Sequence, residues 1–226
     1  MKNVKIILFV GFLFLVLFLL WFLYFRADKR TTVLKTDENK HTYTIIAFGD
    51  SLTAGYGLPL YESYPAQLEE RLKTKGLEVN VINAGISGET TKGNNERANF
   101  IKEQNADMVI WGIGGNDALR ALPVEEVKKN MESTIQILQS AQNKPKILLL
   151  KIQSPLNAGF TYKKEFDAVY ENLSKKYNLP LVPFVVNSVF LNSDLMLEDR
   201  IHPNKEGYAK IIEDNLLDAV LKEIEK

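Results

Sequence analysis

The amino-acid sequence predicts an α/β protein: a three-layer α/β/α sandwich around a five-stranded parallel sheet, preceded by one N-terminal transmembrane helix. Three observations carry that prediction. From residue 43 onward, apolar β-branched runs alternate with segments of helical period. Several of these runs stop at glycine, as at Gly49 and at Gly114-Gly115. Ile6 through Phe25 is an unbroken stretch of 20 apolar residues. Strands separated by helical stretches imply parallel βαβ units, and the roughly 184 residues after position 42 suffice for one such domain.

The elements follow in order. Residues 1–5 form a short tail carrying Lys2 and Lys5. Residues 6–25 would span about 30 Å as a helix, the thickness of a bilayer's hydrocarbon core. They show no polar stripe of the kind a buried helix of a globular domain carries, and Trp21 and Tyr24 lie near one end, where amphipathic rings suit the interface. Signal peptides have shorter apolar regions and end at a small-x-small site, and neither feature is present, so the segment reads as an uncleaved anchor. The short tail followed by a long domain places that domain on the extracytoplasmic side. Residues 26–42 are polar without apolar periodicity and read as a linker that contains His41.

Within the domain, 43–226, Tyr43–Phe48 reads as a first strand and Tyr64–Lys75 as a helix stopped by Gly76. Glu78–Ile82 is a second strand, and Asn95–Glu103 an exposed helix with Ala98 and Ile101 on one side. Met108–Ile113 is a third strand. Val124, Val127, Met131, Ile135 and Leu138 recur at steps of three and four, the stripe of a helix that opens after Pro123. Lys146–Ile152 has the consecutive apolar residues of a strand buried on both faces. Phe160–Tyr177 is helical, Leu181–Val186 is a fifth strand, and a last helix runs from Lys205 with Tyr208, Ile211, Ile212, Leu216, Ala219, Val220 and Ile224 on its buried side.

Composition narrows the chemistry. The chain has no cysteine, which excludes disulfides, a thiol nucleophile, cysteine-ligated metals and a lipoprotein anchor. It has two histidines, His41 and His202, too few for a three-histidine metal site. The 28 basic and 28 acidic residues cancel. They are unevenly placed: residues 1–42 hold seven basic and three acidic residues, and residues 43–226 hold 21 and 25, so the domain is at −4. A domain of that sign is no binder of phosphate backbones, so nucleic acid is set aside as a partner.

In open parallel sheets, ligands bind outside the carboxyl ends of the strands. The residues there are informative. The loop after the first strand reads Gly49-Asp50-Ser51-Leu52, that after the second Ile86-Ser87-Gly88-Glu89, and that after the third Gly114-Gly115-Asn116-Asp117. Asp199-Arg200-Ile201-His202 precedes the last helix. Ser51 becomes a nucleophile only if a base takes its proton, and histidine is the side chain that titrates near neutrality. His202 can be that base, and Asp199, three residues earlier, can orient it. The backbone amides of Ser51 and Gly88 and the side-chain amide of Asn116 can stabilise an oxyanion. Each piece also has a plainer reading: Asp50 or Ser51 as a helix cap, Asn116 as a turn residue, Asp199 and His202 as a surface pair. Their joint occurrence at strand ends favours a site.

These four blocks resemble the SGNH (GDSL) hydrolase superfamily. The stretches Gly49–Gly57, Asn83–Thr91, Gly114–Leu119, Ile152–Phe166, Leu179–Phe184 and Met196–Asn204 are similar to its bacterial thioesterase/lysophospholipase branch, often called arylesterases. The resemblance implies a flavodoxin-like sandwich and hydrolysis of acyl esters, thioesters or lysophospholipids through an acyl-serine, with no metal and no cofactor. It assigns Ser51, Asp199 and His202 to catalysis and Ser51, Gly88 and Asn116 to the oxyanion hole. It also implies that the loop after the fourth strand, with Leu156, Gly159 and Phe160, contacts the acyl chain. The apolar segment 6–25 is the main departure from the family. An O-acetylesterase acting on cell-wall carbohydrate shares the same catalytic set, and a non-catalytic flavodoxin-like binding module remains a rival. The G-x-S-x-G elbow of α/β-hydrolases is absent around Ser51.

Overall fold

The computed structural model describes residues 41–155, 158–184 and 186–226. The expected tail and membrane span, most of the linker, and Leu156 lie outside the described residues. Among the described residues, no helix is long and apolar enough to cross a membrane. His41–Lys226 forms one unit.

Five parallel strands make the sheet: β1 (Tyr43–Gly49), β2 (Val79–Gly85), β3 (Met108–Gly112), β4 (Lys146–Lys151) and β5 (Leu181–Pro183). Their order is β2-β1-β3-β4-β5, every neighbouring pair parallel. Ile45–Phe48, the whole of β3 and Ile147–Leu150 are buried, which is why these strands read as continuous apolar runs.

Helices cover both faces. On one, α2 (Tyr64–Thr74) packs against α9 (Lys205–Ile211) and α10 (Leu217–Ile224). On the other lie α3 (Thr91–Glu96), α4 (Ala98–Lys102), α6 (Val124–Gln139) and α7 (Phe160–Tyr177), joined through α6. The stripe Val127, Met131, Ile135 and Leu138 is fully buried, and each such side chain contributes about 1.5–3 kcal/mol by leaving water. Short helices α1 (Ser51–Ala54), α5 (Gly115–Leu119) and α8 (Asn187–Phe190) sit at the carboxyl edge of the sheet.

Four elements differ from expectation. The second strand, expected over Glu78–Ile82, runs on to Gly85 because β1 pairs with it as far as Gly49. The helix expected over Asn95–Glu103 starts earlier and is two helices, α3 and α4, parted at Arg97. The cause is polar burial. Asn94 is inside, accepting from Trp111 Nε1 at 2.7 Å, and Arg97 turns inward to the strand ends. The fifth strand stops at Pro183, since β5 pairs only with Leu149–Lys151 at the sheet edge, where proline is tolerated. The last helix carries a π-turn over Ile212–Leu216, and Ile211, Ile212, Leu216 and Val220 are all buried around it.

The register places Gly49 opposite both Gly85 and Gly112. Three adjacent strands therefore end in a row of glycines. A Cβ at Gly49 would lie 2.2 Å from the Gly112 carbonyl oxygen, so only glycine lets the loops close over this edge. The strand order reverses on either side of β1, and the crevice outside such a switch point is where ligands bind in doubly wound sheets.

Candidate active site

Ser51 opens α1 directly after β1. Asp50 caps that helix: its Oδ1 accepts the Leu52 amide at 3.0 Å. Tyr208, on α9, donates its hydroxyl to the Leu52 carbonyl at 2.9 Å, pinning α1 from below. Burial, together with the nearby carboxylates Asp117 and Glu89, pushes the Asp50 carboxyl up to about 7, against the opposing Leu52 bond.

His202 arrives on a tight loop. The Leu197 amide donates to the His202 carbonyl at 2.8 Å, and Asn204 caps α9 through the Gly207 amide at 2.9 Å. His202 Nε2 lies 2.8 Å from Ser51 Oγ, and its Nδ1 lies 2.6 Å from Asp199 Oδ2. Asp199 Oδ1 also accepts the amides of Ile201 and His202, at 2.9 and 3.0 Å. Burial raises the Asp199 carboxyl, but the hydrogen bonds from the His202 ring and the two amides outweigh it and hold it below the usual carboxylate range. An ionised Asp199 can only accept, so Nδ1 carries the proton and Nε2 is left to accept from Ser51. The Tyr56 ring covers the imidazole, centroids 4.7 Å apart.

The opposite wall is held by longer-range bonds. Asn116 donates from Nδ2 to the Glu89 carbonyl at 3.0 Å, which fixes the amide plane and leaves its second N–H uncommitted among the described residues. Asp117 accepts the Thr91 amide at 2.9 Å and the Thr91 hydroxyl at 2.7 Å. Burial holds the Asp117 carboxyl above its ordinary range despite those two bonds. Gly88 sits at φ +82°, a left-handed conformation suited to glycine, and Arg120 donates to its carbonyl at 3.1 Å. Arg97 is the hub. Its guanidinium pairs with Glu89 at 2.7 Å, bonds the carbonyls of Gly49 and Ala84 at 3.1 and 2.8 Å, and lies 4.5 Å from the Phe48 ring centroid.

Ser51, Gly88, Asn116 and His202 all line one cleft of 270 Å³, with Ser87 and Tyr56. Next to it lies a 380 Å³ cavity that shares Leu52, Gly115, Leu119 and Ile201 with the cleft. Ile152, Pro155, Phe190 and Leu191 make most of its apolar wall. Among the described residues, no group of histidines and carboxylates could hold a metal ion.

Of the expected substrate residues, Leu156 lies outside the described residues, and Gly159 and Phe160 fall elsewhere. Phe160 is 85% exposed and lines neither the cleft nor the cavity. It occupies the first position of α7, whose buried residues begin at Phe166. Gly159 stands at φ +92° with nothing within 4 Å of where a Cβ would be. The same loop does contribute Ser154 and Pro155 to the cavity. Sequence reasoning missed Arg97, Tyr56, Phe190 and Leu191. A signal for Arg97 was present: an arginine eight residues after Glu89, next to Ala98 on the apolar side of a segment otherwise read as an exposed helix.

A serine bonded to a histidine that is itself bonded to a carboxylate, at the carboxyl edge of a parallel sheet, defines the class of serine hydrolases on an α/β sandwich. The chain belongs to the GDSL-like Lipase/Acylhydrolase family, which it matches over residues 47–210, and it is a GDSL/SGNH esterase. It is 34% identical over 165 residues to "Thioesterase 1/protease 1/lysophospholipase L1" of Escherichia coli (strain K12), covering 73% of this chain and 77% of that one. It is 31% identical over 170 residues to the arylesterase of Vibrio mimicus, covering 75% and 84%. Its fold matches the crystal structure of a psychrotrophic esterase, EstA, from Pseudoalteromonas sp., inhibited by monoethylphosphonate. The TM-score is 0.75 at 32% identity, covering 81% of this chain and 99% of that one.

Proposed function

We propose that this protein is a membrane-tethered serine ester hydrolase that cleaves acyl esters, thioesters or lysophospholipids through an acyl-serine intermediate. The observation that carries the reading is the Ser51–His202–Asp199 relay, at 2.8 and 2.6 Å, opening on a cleft that shares four residues with an apolar cavity.

In this mechanism, His202 Nε2 takes the Ser51 proton as Oγ attacks the acyl carbon. Asp199 stabilises the imidazolium without taking its proton. The amides of Ser51 and Gly88 and the free N–H of Asn116 stabilise the oxyanion, held in advance by Glu89 and Arg97. His202 then passes its proton to the departing alcohol or thiol. A water, deprotonated by the same nitrogen, attacks the acyl-serine, and Ser51 regains its proton as the acid leaves. The cavity beside Ser51 is large enough and apolar enough for an acyl chain longer than acetyl. Residues 6–25 tether the enzyme, with the domain on the extracytoplasmic side.

Labelling by a fluorophosphonate, followed by peptide mapping, tests the nucleophile. Modification is expected on Ser51, and an active, folded preparation with no adduct there overturns the assignment. A series of p-nitrophenyl esters tests the substrate class: turnover confined to acetate would replace the acyl reading by a carbohydrate O-acetylesterase. Retention of the full-length chain in washed membranes, and its release on removal of residues 1–42, tests the tether.

A further inference from the structure

Arg200 lies between the two residues that hold and form the base, yet the mechanism does not use it. Its φ is +55°, in the left-handed region that side-chain-bearing residues seldom adopt. The turn demands this conformation. The Arg200 amide bonds the Leu197 carbonyl at 2.9 Å while Asp199 reaches forward to the amides of Ile201 and His202. Glycine would satisfy that demand without strain. Arginine stands there instead, and it lines the apolar cavity with Ile201 and Leu191.

The guanidinium makes no hydrogen bond or ion pair with any described residue. The one other charged residue lining that cavity, Lys163, is already bonded to Asp167 at 2.7 Å and to the Ser154 carbonyl at 3.0 Å. The single carboxylate lining either space is Asp50, itself 1% exposed. Across the cleft, Arg120 bonds the Gly88 carbonyl. In a domain at −4 overall, the charged residues lining the two spaces are, among the described residues, Lys163 and Arg200 beside the buried Asp50, and the neighbouring Asp199 is engaged by His202. The one uncommitted charge on the cavity wall is therefore a cation, which draws in anions. An unpaired guanidinium is a planar fork that fits a phosphate or carboxylate. Beside an apolar wall it suits a ligand with a chain and an anionic end.

We infer that Arg200 binds an anionic oxygen group, a phosphate or a carboxylate, on the acyl-ester substrate, and so selects anionic amphiphiles over neutral esters of the same chain length. The inference rests on the ester-hydrolase reading and names the substrate class of that same site.

Equilibrium binding to full-length Ser51→Ala protein, which lacks the nucleophile, provides the test. One arm compares a short-chain lysophosphatidate with the monoacylglycerol of the same chain, placing the anion on the alcohol side. The other compares the monomethyl with the dimethyl ester of a medium-chain dicarboxylic acid, placing it on the acyl side. In at least one arm the anionic ligand should bind about tenfold more tightly, and added salt should shrink the difference. Adding Arg200→Gly should abolish the preference without lowering the melting temperature, since it relieves the left-handed strain. Adding Arg200→Lys should keep part of the preference, and Arg200→Gln should lose it with the side-chain bulk retained. No preference in either arm, or one that survives Arg200→Gly and Arg200→Gln, overturns the inference. Failure of the hydrolase reading shows separately, as no turnover of any ester by the unaltered enzyme.

Discussion

The domain contains two histidine–aspartate pairs, at opposite ends of the sheet, and only one is a site. At the amino edge, His41 Nε2 lies 3.0 Å from both oxygens of Asp107, which also accepts the Thr44 amide at 2.7 Å. At the carboxyl edge, His202 uses Nδ1 for Asp199 and keeps Nε2 for Ser51. The His41 side chain is 71% exposed and its Nδ1 meets no described residue, whereas that of His202 is 12% exposed and shielded by Tyr56. An aspartate beside a histidine is therefore not what makes a base. The second nitrogen must face a nucleophile, the ring must be shielded from water, and donors must wait where charge will develop.

The largest expected effects come from breaking the carboxyl-edge pair. Ser51→Ala or His202→Ala should each lower kcat by about 10⁴-fold or more, measured on a p-nitrophenyl ester with circular dichroism to check the fold. A residual rate within tenfold of the parent would remove the relay from the mechanism. Next is the facing wall. Asn116→Ala should cost about 10²–10³-fold in kcat, with a smaller change in KM, because the second N–H serves the oxyanion rather than the bound ester. A loss confined to KM would make Asn116 a ground-state contact.

Arg97 distinguishes a prepared site from a mere pair. Arg97→Met strands Glu89 and two strand-end carbonyls, so stability should fall by about 3 kcal/mol in urea titrations. The kcat of the folded fraction should fall with it, as Asn116 loses its anchor at Glu89. Adding Glu89→Gln should restore part of the stability but not the rate. Unchanged kcat in the folded fraction would show that Arg97 serves packing alone.

A smaller effect concerns pH. The folded protein keeps the Asp50 proton until about pH 7, while an unfolded aspartate loses it near 3.9. Between those values the folded state binds more protons, so Asp50 makes stability fall as pH rises, levelling above 7. Asp50→Asn keeps a capping oxygen and removes the charge, so its melting temperature should decline less from pH 4 to 7 than that of the parent. Parallel declines would mean that Asp50 is ionised throughout. Asp199 has the opposite sign. Its lowered carboxyl adds stability above about pH 4 that is lost as pH falls further. The smallest effect belongs to the amino edge: His41→Ala should change kcat/KM by less than twofold, and a tenfold loss would erase the contrast between the two pairs.

The strands β1, β3 and β4 were legible because they are buried on both faces and so are apolar over their central runs, and β2 because buried Val79 and Val81 alternate with exposed Asn80 and Ile82. The α6 stripe was legible because one face is buried and the other wet. Ser51, Gly88, Asn116, Asp199 and His202 were legible as strand-end residues because a parallel sheet gathers its carboxyl ends on one edge. What stayed hidden involved side chains that act against their type. Arg97 lies in a polar stretch and turns inward, and Asn94 is buried because Trp111 needs an acceptor. Phe160 is apolar yet exposed, since it begins a helix whose buried face starts at Phe166.

By itself, the sequence determined the order of strands and helices, the absence of thiol chemistry, and the residue types at the strand ends. Those follow from local periodicity and covalent composition, which need no partner to be read. Only the tertiary structure decided the rest. It settled which nitrogen each histidine commits, that the cavity wall comes from Ile152, Phe190 and Leu191 rather than Phe160, and that one arginine holds three segments together. The physical reason is that hydrogen bonds and buried charges depend on distances of about 3 Å between residues as much as 156 positions apart, and no local pattern encodes these distances.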